Sequence, residues 1–194
     1  MELMRRTLFA TLASALLLCA QPVFAAIAVQ MNLHQMVSGA DRVFTGTVIG
    51  MSERRVQIGG GELPAVTYRI RVDDSFKGRF EESKGVRFTD VTMLGSIKHV
   101  KSGRHPIADF PILQEGTEYL LMIAPPGSAG LTATMGLGQG VFVITRGADG
   151  KAAMNQANNA GLFAGMSVGM QDGAAAPYSE LASTIRSIVG GAEQ

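Results

Sequence analysis

The sequence predicts a mainly β domain: a small barrel or sandwich of short strands, with one short helix near its start and another at its end. Three observations lead there. Glycine is frequent (24 of 194 residues), tryptophan is absent and aromatic residues make up only 6%, a mixture that favours turns and short strands. Residues 66–72 alternate apolar and polar with period 2, the pattern of a strand with one buried face. Only two stretches, 32–38 and 179–189, combine helical spacing of apolar residues with start or stop signals.

The first 25 residues set the expected destination. Arg5 and Arg6 precede an apolar run from Leu8 to Ala20, and Val23-Phe24-Ala25 places small residues at −3 and −1 of a cleavage point. This is the layout of a secretory signal peptide cut after Ala25, with the exported chain beginning at Ala26. The run is shorter than the ~20 residues a bilayer span needs. Lipoprotein processing at Cys19 is the alternative, disfavoured because Leu18 stands where Gly, Ala or Ser is usual. Export predicts a periplasmic or secreted protein with no membrane span after cleavage. Loss of Arg5, Arg6 and Glu2 leaves fifteen basic and fifteen acidic side chains, so no global field attracts nucleic acid or anionic membranes. The mature chain also lacks cysteine, and its stability must come from its core rather than from disulfides.

The elements follow in order. Asn32 and Gln35 have capping-box spacing, and Leu33, Met36 and Val37 form one stripe before Gly39, which predicts a helix within an N-terminal segment 26–39. Residues 42–51 read as a strand with a bulge or bend at Gly46. Gly59-Gly60-Gly61 turns the chain into a second strand, where Val66, Tyr68, Ile70 and Val72 face inward. A third strand spans 86–89, with Val86 and Phe88 inward and Arg87 outward. A long connection, about 91–112, carries Lys98, His99, Lys101, Arg104 and His105; connections of that length usually carry function or disorder. Residues 118–124 are a continuously apolar central strand, and 131–135 and 141–145 are further strands. The Gly-, Ala- and Asn-rich stretch from 148 predicts an irregular or partly mobile wrap, before a helix over 179–189 with Leu181, Ile185, Ile188 and Val189 on one face. The core is expected around Tyr68, Ile70, Val72, Phe88, Tyr119, Leu121 and Ile123.

This succession resembles the netrin-like domains, the OB-type barrel shared with tissue inhibitors of metalloproteinases. The likeness rests on A-D-R-V-F-T-G-T-V-I-G at 40–50, V-T-Y-R-I-R-V-D-D-S-F-K-G at 66–78 and E-G-T-E-Y-L-L-M-I at 115–123. It extends to exported bacterial members of that group through Gly136-Leu137-Gly138-Gln139-Gly140-Val141-Phe142. The resemblance covers roughly residues 40–145 and implies a barrel over 40–147, with the wrap and C-terminal helix (148–194) packed on it. It also implies a binding role toward another protein, such as an exported protease. The inhibitors approach a protease zinc through an N-terminal cysteine held by a disulfide. This chain has none after cleavage, so that mechanism does not carry over.

Other motifs give way to simpler readings. Gly165-Met166-Ser167-Val168-Gly169 matches the nucleophile elbow in letters, but no strand delivers Ser167, and the histidines (His34, His99, His105) all precede it. The glycines at 136, 138 and 140 lead into a strand, whereas a phosphate loop needs a helix N-terminus there. His99, His105 and Asp109 share the long connection with three cationic side chains, which oppose a metal ion. The pairs Asp73-Asp74 and Glu81-Glu82 read as solvated charge at turns. Single-stranded nucleic acid, the usual OB ligand, needs a basic face with stacking aromatics that this chain lacks. No catalytic, cofactor or metal residue is therefore assigned. The expected role is non-enzymatic recognition of an exported or envelope protein. The alternative is binding of an anionic glycan or lipid headgroup through the 95–111 stretch, with Lys98, His99, Lys101, Arg104 and His105 as contact residues.

Overall fold

A computed structural model describes residues 29–104, 110–127 and 129–191; the leader, Cys19, His105 and Asp109 lie outside them. The elements in chain order are α1 (Leu33–Gly39), β1 (Arg42–Ile58), β2 (Gly61–Lys77), β3 (Glu81–Ser83), β4 (Val86–Leu94), α2 (Ile97–Ser102), β5 (Glu118–Ile123), a 3-10 turn (Leu137–Gly140), β6 (Val141–Gly147), β7 (Gly150–Asn155), β8 (Ala176–Pro177) and α3 (Tyr178–Gly191). The strands form one antiparallel sheet in the order β3-β4-β2-β1-β5-β6-β7-β8.

The sheet is open, and the expected closed barrel is not formed. Instead it curls, and residues 131–135 cross from β5 towards β4. Ala124 N–H donates to Ala133 O and Met135 N–H to Met122 O, both at 2.8 Å, while Thr132 N–H donates to Thr92 O at 2.8 Å. The Thr92 amide is taken by the Thr132 hydroxyl (2.7 Å) rather than by a carbonyl. A side chain thus holds a position where a ladder bond would run, and the expected strand at 131–135 is reduced to one bridge, Ile123 with Thr134.

The sheet's curl follows from the β1–β2 ribbon. Gly59 and Gly60 both have positive φ and make the tight turn that pairs Ile58 with Gly61. Farther along, Ile49 on β1 and Asp73 and Phe76 on β2 have no partner of their own in the ladder, so three bulges bend the ribbon. At Gly46 a Cβ would lie 2.4 Å from the Arg71 carbonyl oxygen, a backbone approach only glycine permits.

Two cores result, one on each face. Val43, Leu120, Met122, Phe142 and Ile144 meet α1 and α3. Phe44, Val48, Tyr68, Ile70, Val91, Leu121 and Ile123 fill the inside of the curl, with Val100 of α2 inserted there. Of the expected core residues only Phe88 differs. The register sets Arg87, Thr89, Val91 and Met93 opposite the inward row of β2, so the expected orientation of β4 is reversed. Val86 is exposed, Phe88 lies outside beneath the Arg69 guanidinium, and Arg87 reaches the Ser75 hydroxyl.

Three other expectations change. The long connection is shorter than expected, because β4 runs to Leu94 and α2 follows, capped by Ser96 and closed on Gly103. The alanine-rich stretch is not wholly irregular: Gly150–Asn155 pairs along β6 as β7. The acidic pairs lie within β2 and β3 rather than at turns.

Gly46→Ala should lower stability by about 2–3 kcal/mol through enforced backbone displacement. Gly50→Ala, four residues on in the same strand with nothing near its Cβ position, should be close to neutral. Ile70→Ala and Leu121→Ala should each cost about 2–5 kcal/mol in urea melts. Burial pushes the Tyr68 phenol up to about 12, against a backbone hydrogen bond from Leu113 that pulls the other way. The unfolded chain therefore ionises first, so this stability is whole below about pH 10 and is lost as pH rises through about 12. Tyr68→Phe should remove about 2–3 kcal/mol of that alkaline decline, read by comparing melts of the two proteins across the window.

Candidate functional site

The region around α1 is built by side-chain amides. Asn32 accepts from Gln35 N–H while the Gln35 side chain accepts from Asn32 N–H, both at 2.9 Å, closing the expected capping box. At the other end Lys77 donates to Val37 O and Ser38 O at 3.1 and 2.9 Å, placing a cation where the helix carbonyls are unsatisfied. Before the helix, the buried Gln139 side chain accepts from Met31 N–H (2.9 Å) and donates to Val29 O (3.0 Å), as a neighbouring strand would.

Two buried asparagines order the stretch after β7. The Asn155 side chain accepts from Asn159 N–H at 2.7 Å, and the Asn159 side chain accepts from Asn155 N–H at 2.9 Å. Asn159 also donates to Ala153 O and Ala174 O. This reciprocal pair satisfies backbone groups that no ladder reaches. It turns the chain so that Leu162 O meets Leu33 N–H at 2.7 Å.

α3 lies beside α1, sinking Leu181, Ala182 and Ile185 into the shared core. Polar contacts add to this apolar packing on the sheet. Tyr178 OH lies 2.9 Å from Thr45 Oγ1, and Arg186 reaches Asp74 at 2.6 Å while lying over the Phe76 ring. Burial raises the Tyr178 phenol above its ordinary value, with smaller opposing effects from Thr45 and Arg186.

Between α1, α3 and residues 166–168 runs an open groove of about 550 Å³. Met166, Val168 and Ile188 give it an aliphatic floor continuous with the core, and His34, Ser38, Ser167, Thr184 and Ser187 give it a polar rim. Ser167 and His34 share this groove despite their separation in sequence, but no hydrogen bond joins them. Residues 161–170 hold turns and irregular chain, so Ser167 is not on an elbow. Sequence reasoning noticed Ser167 for its flanking glycines and missed the groove, whose walls come from three distant stretches.

The basic residues gather elsewhere. Lys98 and Lys101 project from α2 and Arg104 follows its cap, all exposed. His99 is set apart from them: it is half-buried, with Nδ1 3.1 Å from Ser96 Oγ. Among the described residues no three histidines, cysteines or carboxylates stand close enough to hold a metal ion. Nor is any helix there long and apolar enough to cross a membrane. Compared with protein-family models and with curated proteins, the chain gives no match.

Gln139→Leu keeps the volume and removes the strand-like clamp. It should speed hydrogen exchange at Met31 N–H and cost about 1–3 kcal/mol, while exchange in the β1–β2 ribbon stays unchanged.

Proposed function

We propose that the protein is an exported, non-catalytic binding module of the netrin-like type. It recognises another exported protein by seating an apolar anchor of that partner in the groove between α1 and α3. The observation that carries the reading is the groove's composition. An aliphatic floor ringed by hydroxyls and one imidazole suits an apolar side chain flanked by peptide groups. Among the described residues the lining has no Lys, Arg, Asp or Glu and no Phe, Tyr or Trp, and so offers a small charged or planar ligand little to orient it. The barrel comparison is supported by the strand order β4-β2-β1-β5 and by the Thr92–Thr132 contacts, which bring the curled sheet near closure. An exported protease as the partner rests on the resemblance alone.

The test is site-specific photocrosslinking. A benzoylphenylalanine at Ser187, exposed on the groove wall, should capture one partner from the envelope or secreted fraction, to be identified by mass spectrometry. The same residue at Glu82, on β3, should not. Ser187→Trp, which fills the groove, should lower recovery of that partner by about tenfold or more with melting unchanged. Equal capture from both positions, or full recovery by the Trp variant, would refute the groove as the site.

A further inference from the structure

Among the described residues most cations are already engaged. Arg55, Arg69, Arg71, Arg146, Lys151 and Arg186 each meet a carboxylate at 3.1 Å or less. Arg42, Arg54, Lys77 and Arg87 donate to backbone or hydroxyl oxygens. Among the described residues, those left with neither kind of partner are Arg79 and Lys84, on either side of β3, and Lys98, Lys101 and Arg104. The last three stand within seven positions of one another, on α2 and just past its cap.

α2 holds them on a fixed base. Val100 is buried in the inner core and Ile97 packs against it. Ile97 N–H donates to Glu53 Oε2 at 2.8 Å, and Gln114 Nε2 donates to Val100 O at 3.3 Å. The helix ends are thus satisfied by the protein itself, and what α2 turns outward is charge on flexible stems. Lys98 and Lys101, three apart, share a helix face. Arg104 N–H bonds His99 O at 3.1 Å, which sets Arg104 against the last turn.

We infer that α2 is an electrostatic contact patch for an anionic lipid bilayer, separate from the α1–α3 groove and independent of the reading given to it. The charges stand along a short helix rather than around a cleft, so they meet many headgroups rather than enclose one. Two of the three are lysines, compact point charges that suit mobile phosphates better than a fixed bidentate partner. A chain of balanced charge gains such attraction only where cations are left unpaired together. Each cation held near an anionic surface contributes about fivefold to partitioning, so three give on the order of a hundredfold. That is reversible attachment.

The experiment is flotation of the exported chain with vesicles of phosphatidylcholine, with and without phosphatidylglycerol. The wild type should float with the anionic vesicles only and be released by added salt. Lys98→Ser/Lys101→Ser/Arg104→Ser should fall to the phosphatidylcholine level, a loss on the order of a hundredfold, with its melting curve intact. Arg79→Ser/Lys84→Ser should keep most of its binding. Three results would overturn the inference: no flotation of the wild type, equal loss in both variants, or full binding by the triple variant. Capture by an anionic polysaccharide without vesicle binding would overturn it as well, and would reassign the patch to a glycan.

Discussion

The fold depends on one backbone contact, where Gly46 of β1 passes the Arg71 carbonyl of β2. A ribbon of this length, if it stayed regular, would keep each strand's side-chain alternation fixed from end to end. Here the bulge at Asp73 resets it. Val66, Tyr68, Ile70 and Val72 point into the curl. Beyond the bulge, Asp74, Phe76 and Lys77 point toward the helices, where they meet Arg186 and the end of α1. One strand pair therefore serves both cores. The placement of α1 and α3, and hence of the groove between them, follows from that change of face.

Side-chain amides take over where the ladder stops. Gln139, Asn155 and Asn159 sit in or beside the core and bind backbone groups of the segment before α1, of the 3-10 turn and of residues near 174, as well as the Ala153 carbonyl of β7. Each donor and acceptor costs free energy when buried and recovers it only if matched. Among the described residues no buried side-chain nitrogen or oxygen is left unmatched. In a chain whose described part contains no cysteine, this matching holds irregular segments in place, a job that cross-links often do in small exported domains.

Legibility in the sequence tracked the strength of local signals. The capping box at Asn32, the period-2 row on β2 and the apolar run of β5 each declare themselves within a few residues. Gly46 could be read as a bend for the same reason. β7 could not, because Ala152 and Ala153 have little strand preference and gain their place only by pairing with β6. α2 spans six residues, too few for helical periodicity to show. The orientation of β4 depends on its register with β2, a non-local fact, and so Phe88 was expected on the wrong face. The groove was the least legible feature. Its walls come from residues near 34, 167 and 187, and no local pattern marks residues that meet only after two helices dock. The free cations near 98–104 stood out as composition, yet only the structure separates them from paired residues such as Arg69 and from the half-buried His99.

The Thr92–Thr132 contact also bears on motion. Along that side the inner core is closed by the backbone and hydroxyl of one threonine rather than by a run of paired strands. Ladders resist opening because their bonds break together, whereas a single-residue latch has no neighbours to share the load. Among the described residues the hydrogen bonds between β4 and residues 131–135 all run through Thr92 and Thr132, so hydrogen exchange at Thr92 and Thr132 is expected to be faster than in the β1–β2 ribbon.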